Sequence, residues 1–295
     1  VCSSDLKTYK DLGMVPAVLA RYLQLERSSN IGIGHVRYST RGGNRIENAQ
    51  PIHVTCNKGQ ISLAHNGNLS NATELRNMVF DNGAIIQSTT DTEIILHLLS
   101  MNMEKDFKKV LLSTLEKLEG AYSLLMIKDN SLIAVRDPNG FRPLYMGTKD
   151  DFVVFASETC ALDILQVTSY REVEPGEMVI IDETGIKSEF FSGKNCKSHC
   201  VFELIYFARP DSSIFDKSVH VMRKKMGAAL AENETASGDI VMAVPDSGNH
   251  AALGYAEASG IPLEYGLSRN HYAGRSFIMP TKEQRELMVR MKLNP

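Results

Sequence analysis

The sequence predicts an α+β fold: a first domain of stacked antiparallel sheets with outer helices, followed by the opening of a parallel α/β domain. Three observations carry this reading. Short apolar runs bounded by turn residues dominate the first two thirds of the chain. Three segments with helical apolar spacing lie between them. From about Val201 the rhythm changes to helix, strand, polar turn, helix and strand, which is the order of a parallel unit.

Taken in order, Ile61-Ser62-Leu63-Ala64 reads as a strand, and residues 71–80 as a helix beginning after Leu69-Ser70-Asn71. Thr89 and Thr90 are capping residues, and the run Ile94, Ile95, Leu96, Leu98, Leu99 behind them predicts a helix over 91–103. A further helix is expected over 107–118. Strands are expected over 123–127, 131–135, Phe152–Ala156 and 178–181, with Asp137-Pro138-Asn139-Gly140 and Glu174-Pro175-Gly176 as intervening turns. In the second part, a helix over 217–233 precedes a strand over 239–244, the turn Pro245-Asp246-Ser247-Gly248, a helix over 251–258 and a strand over 263–265. Ligands of parallel sheets gather at the C-terminal ends of strands, and Pro245-Asp246-Ser247 sits at such an end. A plain helix-capping loop is the alternative there.

Composition sets the bounds. The 295 residues suggest two domains. Hydrophobic content of 43% and charged content of 23% describe a globular protein, and the net charge of −3 gives no support for nucleic-acid binding. No apolar run reaches the roughly 18 residues that a membrane span needs. Five cysteines do not make a disulfide framework, so a reducing cytoplasm is expected. There are no internal repeats or low-complexity tracts.

The segment His65-Asn66-Gly67-Asn68 is the most informative. Read as a turn, it sets an Asn amide beside a Gly backbone N–H, and such a donor pair can hold the oxyanion that forms when an amide or thioester carbonyl is attacked. Asn-Gly is also a very common short turn, so its neighbours decide. Glutamine carries a side-chain amide, an α-carboxylate and an α-amine. Arg37, in Gly32-Ile33-Gly34-His35-Val36-Arg37-Tyr38-Ser39-Thr40, offers a planar fork matched to a carboxylate. Asp91, in Ser88-Thr89-Thr90-Asp91-Thr92-Glu93, offers the anion for the amine. Alone, Arg37 reads as a surface ion pair and Asp91 as a first-turn helix residue; their joint order and spacing carry the weight.

With these strings in place, the chain resembles the glutamine phosphoribosylpyrophosphate (PRPP) amidotransferases, also called amidophosphoribosyltransferases. Further matching stretches are residues 136–144 (Arg-Asp-Pro-Asn-Gly-Phe-Arg-Pro-Leu), Ala156-Ser157-Glu158-Thr159-Cys160-Ala161, Glu174-Pro175-Gly176-Glu177 and Phe207-Ala208-Arg209-Pro210-Asp211-Ser212. They continue with Val244-Pro245-Asp246-Ser247, Gly254-Tyr255-Ala256 and Gly274-Arg275-Ser276-Phe277-Ile278. The resemblance implies a four-layer αββα N-terminal-nucleophile glutaminase domain over 7–199 and the first part of a phosphoribosyltransferase domain over 200–295. It implies the first committed step of purine synthesis: glutamine, PRPP and water giving phosphoribosylamine, glutamate and pyrophosphate. Asn66 and Gly67 would form the oxyanion hole, and Arg37 and Asp91 would hold glutamine. Arg269 and Arg275 would contact the phosphates of PRPP, or their pairing would order the loop that carries them. Ser247 would be a Mg²⁺ ligand, and Cys200 a ligand of the [4Fe–4S] cluster that some members carry. Cys196, four residues earlier, is an extra candidate ligand without a family counterpart, and Cys160 and Cys56 read as inert packing or surface thiols. Purine-nucleotide feedback and a homotetramer are further expectations of the family.

The resemblance departs at both ends. The family nucleophile is a mature N-terminal cysteine followed by Gly, whereas Cys2 is followed by Ser3-Ser4-Asp5-Leu6 and stands too close to Arg37. Residues 1–6 back-translate to the end of a common short-read sequencing adapter, so genuine sequence is expected to start near Lys7. The acidic, Gly/Thr-rich PRPP loop of the family has no match before Pro295. The chain itself is therefore expected to be inactive. Two rival readings are another amidotransferase with the same glutaminase domain, such as glucosamine-phosphate synthase, and a non-catalytic glutamine-binding pseudo-enzyme.

Overall fold

Leu63 and Leu69 are buried on one face of a long strand, and that face seats the helical layer of the first unit. The computed structural model describes residues 6–13, 15–20, 22, 29–37, 45–193, 197–234, 237–273 and 281–295. After a short helix α1 (Val15–Leu19), β1 (Ile52–Cys56) and β2 (Gly59–Leu69) form a hairpin. Helices α2 (Ala72–Asp81), α3 (Asp91–Met101) and α4 (Phe107–Leu115) follow. Then come β3 (Gly120–Lys128), β4 (Ser131–Arg136), β5 (Tyr145–Lys149), β6 (Phe152–Ala156), α5 (Thr159–Ile164), β7 (Ser169–Glu172), β8 (Glu177–Asp182) and β9 (Gly185–Phe190).

The strands make two antiparallel sheets. One has the order β1-β2-β3-β4-β8-β9, the other β6-β5-β7. Two apolar cores follow from the two-residue side-chain period of a strand. Leu63, Leu124 and Ile133 on the first sheet pack with Leu75, Ile95, Leu99 and Leu111 of α2, α3 and α4. On the opposite face, Ala134 and Val179 pack with Leu144 and Val173 from the second sheet region. This is the helix–sheet–sheet stacking of the αββα class.

Between the sheets the chain turns at Arg136 and Asp137, both fully buried. Arg136 donates to the carbonyls of Arg142 (2.9 Å), Gly140 (2.9 Å) and Val173 (2.5 Å), and lies 3.0 Å from the Glu172 carboxylate. Asp137 accepts from the N–H groups of Asn139 (2.9 Å), Phe141 (3.1 Å) and Tyr122 (3.3 Å). Burial raises the Asp137 pKa, against the pull of these bonds. Gly140 sits at φ 60°, and a Cβ there would stand 2.7 Å from Pro175 Cγ and 3.1 Å from the Arg136 guanidinium, so the tight turn requires glycine.

By contact, the chain divides into two units: the described residues up to Ser157 with Gln166–His199, and Glu158–Leu165 with Cys200–Pro295. The second unit contains α5, a π-helical turn Glu203–Phe207, the ribbon β10 (Ser213–Ile214) and β11 (Lys217–Ser218), then α6 (Val219–Asn233), β12 (Val241–Met242), α7 (Asn249–Ser259) and β13 (Leu263–Glu264). It ends with β14 (Ser268–Arg269), α8 (Lys282–Lys292) and β15 (Leu293–Asn294). Two matched sequence strings become partners here. The Glu158 carboxylate accepts from Arg209 N–H (2.8 Å) and Ser212 Oγ (2.9 Å), and Ser213 N–H donates to Thr159 Oγ1 (2.9 Å). Arg223, buried in α6, donates to the carbonyls of Leu204 (2.9 Å) and Ala208 (2.8 Å).

β12 and β13 pair in parallel with α7 between them, which is the expected strand–turn–helix–strand unit. The strand expected over 239–244 is shorter than its apolar pattern, because β13 offers only Leu263 and Glu264 as ladder partners. Helices α6 and α7 touch backbone to backbone. A Cβ on Gly227 would stand 1.9 Å from Ala251 O, and one on Gly254 would stand 1.9 Å from Lys224 O.

Replacing Arg136 with Met removes the charge while leaving four oxygen acceptors and Asp137 buried. Breaking a buried ionic network this way is expected to cost about 3–5 kcal/mol, measured as a lower urea midpoint followed by a probe in the first unit. Gly227→Ala is expected to separate α6 from α7, at a cost of about 1–3 kcal/mol, read as faster amide exchange in both helices.

Candidate functional site

β2 outruns β1, and the site lies on the stretch left over. Pairing with β1 ends at Ile52↔Leu63, whereas pairing with β3 continues to Leu69↔Gly120. Beyond Leu63, one edge of β2 has no strand beside it, and its N–H groups need other partners. His65 N–H donates to the Gln50 side-chain Oε1 at 2.7 Å, and Gln50 Nε2 donates back to His65 O at 3.3 Å. The amide of Gln50 thus substitutes for one residue of strand. Leu69 N–H donates to Asp91 Oδ2 at 2.9 Å. Backbone groups of alternate residues face the same edge of a strand. Gly67 lies midway between His65 and Leu69, so its N–H faces this same edge.

The expected turn at 65–68 is therefore corrected: Asn66 and Gly67 are strand residues, paired with Ser123 and Tyr122. The ladder with β3 overrides the turn preference of Asn-Gly because Gly67 lets the backbones close. A Cβ on Gly67 would stand 2.0 Å from Ala121 O and 2.7 Å from His65 Nε2. The Gly67 N–H keeps its place at the open edge, and Asn66 directly precedes it on the strand. Asn66 shares its face with Ser62 and Ala64, opposite the face of Leu63, His65 and Leu69, by strand alternation.

His65 is the hub, a role that the sequence reading missed. It is buried, with Nδ1 3.3 Å from Thr92 Oγ1 and 3.5 Å from Asp91 Oδ1, and Nε2 3.4 Å from Ala121 O. Burial alone would raise the Asp91 pKa, but the hydrogen bond and charge of His65 and the Leu69 N–H together hold it below the usual carboxylate range. His35 lies beside His65. Burial first, then the charges of His65 and Arg37, push its pKa down to about 4, so its imidazole is neutral at physiological pH. Arg37 is half-buried and near enough for its charge to act on His35. The structure thus sets Asp91, and His35 with Arg37 near it, around one buried histidine two residues before Gly67, while Asn66 lies on the opposite face of β2. The signal that could have exposed it was the strand period, which sets His65 on the core face between Leu63 and Leu69.

The first turn of α3 is fixed by its own network. Glu93 accepts from Gln87 N–H (2.7 Å), Ser88 N–H (2.6 Å) and Ser88 Oγ (2.6 Å), reaching back beyond the Thr90 cap. Asn48 holds Thr89 through Oδ1 at 3.0 Å. Burial opposes the Glu93 charge, yet His97 and these donors bring its pKa down to about 2.

In the second unit, Asp246 and Ser247 are exposed on the turn after β12, and Asn249 N–H donates to Asp246 O at 3.2 Å. The Arg269 guanidinium forms an ion pair with the Asp246 carboxylate. Arg269 and Ser247 are thus brought to one turn, with the arginine engaged by a carboxylate. Arg275, Cys196 and Cys2 lie outside the described residues. Cys200 is half-buried, Cys160 is buried 3.7 Å from Glu158 Oε2, and Cys56 is half-buried. Among the described residues, no group of three or more His, Cys, Asp and Glu side chains could hold a metal ion. No described helix is long and apolar enough to cross a membrane.

Gly67→Ala is expected to force β2 from β3 and destabilise the first unit by about 1–3 kcal/mol, with loss of the His65 and Asp91 contacts visible in histidine side-chain NMR. For Glu93 the folded pKa is depressed, so its stabilisation is complete above the ordinary glutamate range and is lost as pH falls toward about 2. Glu93→Gln is expected to lower neutral-pH stability by about 3 kcal/mol and to flatten the acid limb of a stability–pH curve.

Comparison with known proteins fits this geometry. The glutamine amidotransferase domain family matches residues 35–164. The chain is 44% identical to an Arabidopsis thaliana chloroplastic amidophosphoribosyltransferase, across 98% of this chain and 51% of that one. It is 42% identical to the Methanocaldococcus jannaschii amidophosphoribosyltransferase, across 100% of this chain and 67% of that one. The solved glutamine PRPP amidotransferase from Bacillus subtilis, complexed with ADP and GMP, superposes with a TM-score of 0.78 at 47% identity, covering 88% of this chain and 56% of that one. The chain spans about half to two thirds of the length of the relatives it matches. By identity and fold together, this chain belongs to the amidophosphoribosyltransferase family.

Proposed function

We propose that the protein carrying this chain is an amidophosphoribosyltransferase working in two steps. Glutamine and water give glutamate and ammonia in the first unit. Ammonia then displaces pyrophosphate from C1 of PRPP, giving phosphoribosylamine. The observation that supports the reading is the Gly67 N–H on the edge of β2 that β1 leaves open, with the Asp91 carboxylate held at Leu69 of that same edge, in a chain whose identity to its relatives runs through both units.

Each group has a physical role. The Gly67 N–H and the Asn66 amide supply preorganised donors for the amide oxygen as it becomes anionic. Arg37 binds the α-carboxylate. Asp91 already accepts from Leu69 N–H and lies beside His65, but a carboxylate has about four lone-pair sites, and its side chain is 19% exposed, which leaves room for the α-ammonium. The attacking thiol is a cysteine as in the family, with Cys2 not assigned to that part. Ammonium has no lone pair, so the nitrogen must reach the second site unprotonated.

At that site Arg269 and Arg275 contact phosphate, and Ser247 contributes to Mg²⁺. The hydroxyl of Ser247 and the carboxylate of Asp246 are hard oxygen donors of the kind Mg²⁺ accepts, with water and substrate phosphates completing its shell. Mg²⁺ would neutralise the pyrophosphate as it leaves. A [4Fe–4S] cluster takes four thiolates; Cys200 would supply one of them, and the three described cysteines, Cys56, Cys160 and Cys200, form no cluster-binding group among the described residues. Purine nucleotides are the expected feedback ligands, in keeping with the ADP and GMP bound by the B. subtilis relative, and a homotetramer and a cytoplasmic location complete the reading. Identity continuing through the second unit argues against a glucosamine-phosphate synthase.

The test uses the protein with its flanking coding sequence restored. Asn66→Ala is expected to lower glutamine-dependent phosphoribosylamine formation by about 10²–10³-fold while formation from added ammonia is kept. Equal loss of both activities would refute the assignment of Asn66. Glutamine binding without turnover in the unmutated protein would favour a pseudo-enzyme.

A further inference from the structure

His220 is the second residue of α6 and His250 the second residue of α7. Their Nδ1 atoms are 2.7 Å apart, with ring centroids at 4.8 Å and planes at 80°. Two imidazole nitrogens at this distance hold one proton between them. With none, two lone pairs face each other; with two, an N–H meets an N–H. The contact therefore needs one ring to present Nδ1–H, as the Nδ1–H tautomer or the imidazolium, and the other a bare Nδ1, as the Nε2–H tautomer.

The surroundings oppose a second proton. Each ring sits in the first turn of a helix, where the helix dipole disfavours a cation. Burial, His220 and the Arg223 guanidinium all lower the His250 pKa. On the elements packed against the pair, Lys224 is paired with Glu257 at 2.7 Å. The other titratable groups there are Lys217, Lys225, Glu232, Glu203, Tyr206, Tyr255 and Glu264. Along the same helices, Gly227 and Gly254 already bring the backbones into contact, so the helices cannot move closer in another register to relieve repulsion at the histidines. Both rings are half-buried, and protons reach them from solvent.

We propose that His220 and His250 form a one-proton clasp between α6 and α7, closed while one Nδ1 carries a proton and the other is bare, and forced open when both Nδ1 atoms are protonated. Because Asn249 N–H holds Asp246 O at 3.2 Å, the turn carrying Asp246 and Ser247 is tied to the same first turn of α7 and loosens with it.

The experiment is hydrogen exchange followed by mass spectrometry on this chain between about pH 7.5 and 5, corrected for intrinsic exchange. Opening of the first turns of α6 and α7 is expected to increase by up to about tenfold per pH unit as the second proton binds. In the double variant His220→Asn with His250→Asn, an N–H···O bond can form without titration, and opening is expected to be independent of pH. The same pH dependence in this variant would overturn the proposal. Should the variant not fold, ¹⁵N imidazole spectra of the unmutated chain decide. Opposite tautomers at neutral pH support the clasp, and two like tautomers refute it.

Discussion

The site depends on one mismatch of strand lengths. β1 stops pairing at Ile52, and β2 runs on to Leu69. A strand edge left beside nothing carries N–H groups that must find partners or remain in water. Gln50 takes the first and Asp91 takes the last. The N–H of Gly67 lies between them on the same edge. The donor proposed for the oxyanion hole is thus created by the sheet, not by a loop. The same bond that caps Leu69 places the Asp91 carboxylate, so the group proposed to bind an ammonium is held by the strand proposed to supply the oxyanion donors.

Around this edge, rigidity comes from polar groups that are buried and fully engaged. The Glu93 network fixes where α3 begins, which fixes Asp91. Arg136 and Asp137 pin the turn between the two sheets through backbone carbonyls and N–H groups. Buried charges are costly unless hydrogen-bonded on every side. Both clusters meet that condition with backbone partners, so each charge also dictates the path of the chain next to it.

Much of this was legible in the sequence, and the reasons differ by element. α3 was readable because its caps and apolar period agree, and β6 because its run is short and bounded by turns. The parallel unit was readable from the order of its elements. The site residues could be named from residue type and spacing, but their setting could not. Asn-Gly carries a strong local turn preference, and only the closeness of Ala121 O to Gly67 shows that pairing with β3 wins. His65 was hidden because nothing local marks it as the neighbour of Thr92, Asp91 and His35. The Arg269–Asp246 pair and the Glu158–Arg209 contact were hidden for the same reason: they join segments distant in sequence.

The position of α5 has a consequence for how the molecule is made. Residues 158–165 belong with a unit whose other members begin at Cys200, so the chain leaves the first unit, returns to it and leaves again. During synthesis, Glu158 and Thr159 emerge well before Arg209, Ser212 and Ser213, the groups that satisfy them. Until then α5 has only its own short helix to hold it, and a helix of six residues is unstable alone. The first unit must therefore complete β7, β8 and β9 around an unplaced insertion. The second unit cannot be obtained by cutting the chain at any single bond, because a cut before Cys200 leaves behind the helix on which its first ribbon rests.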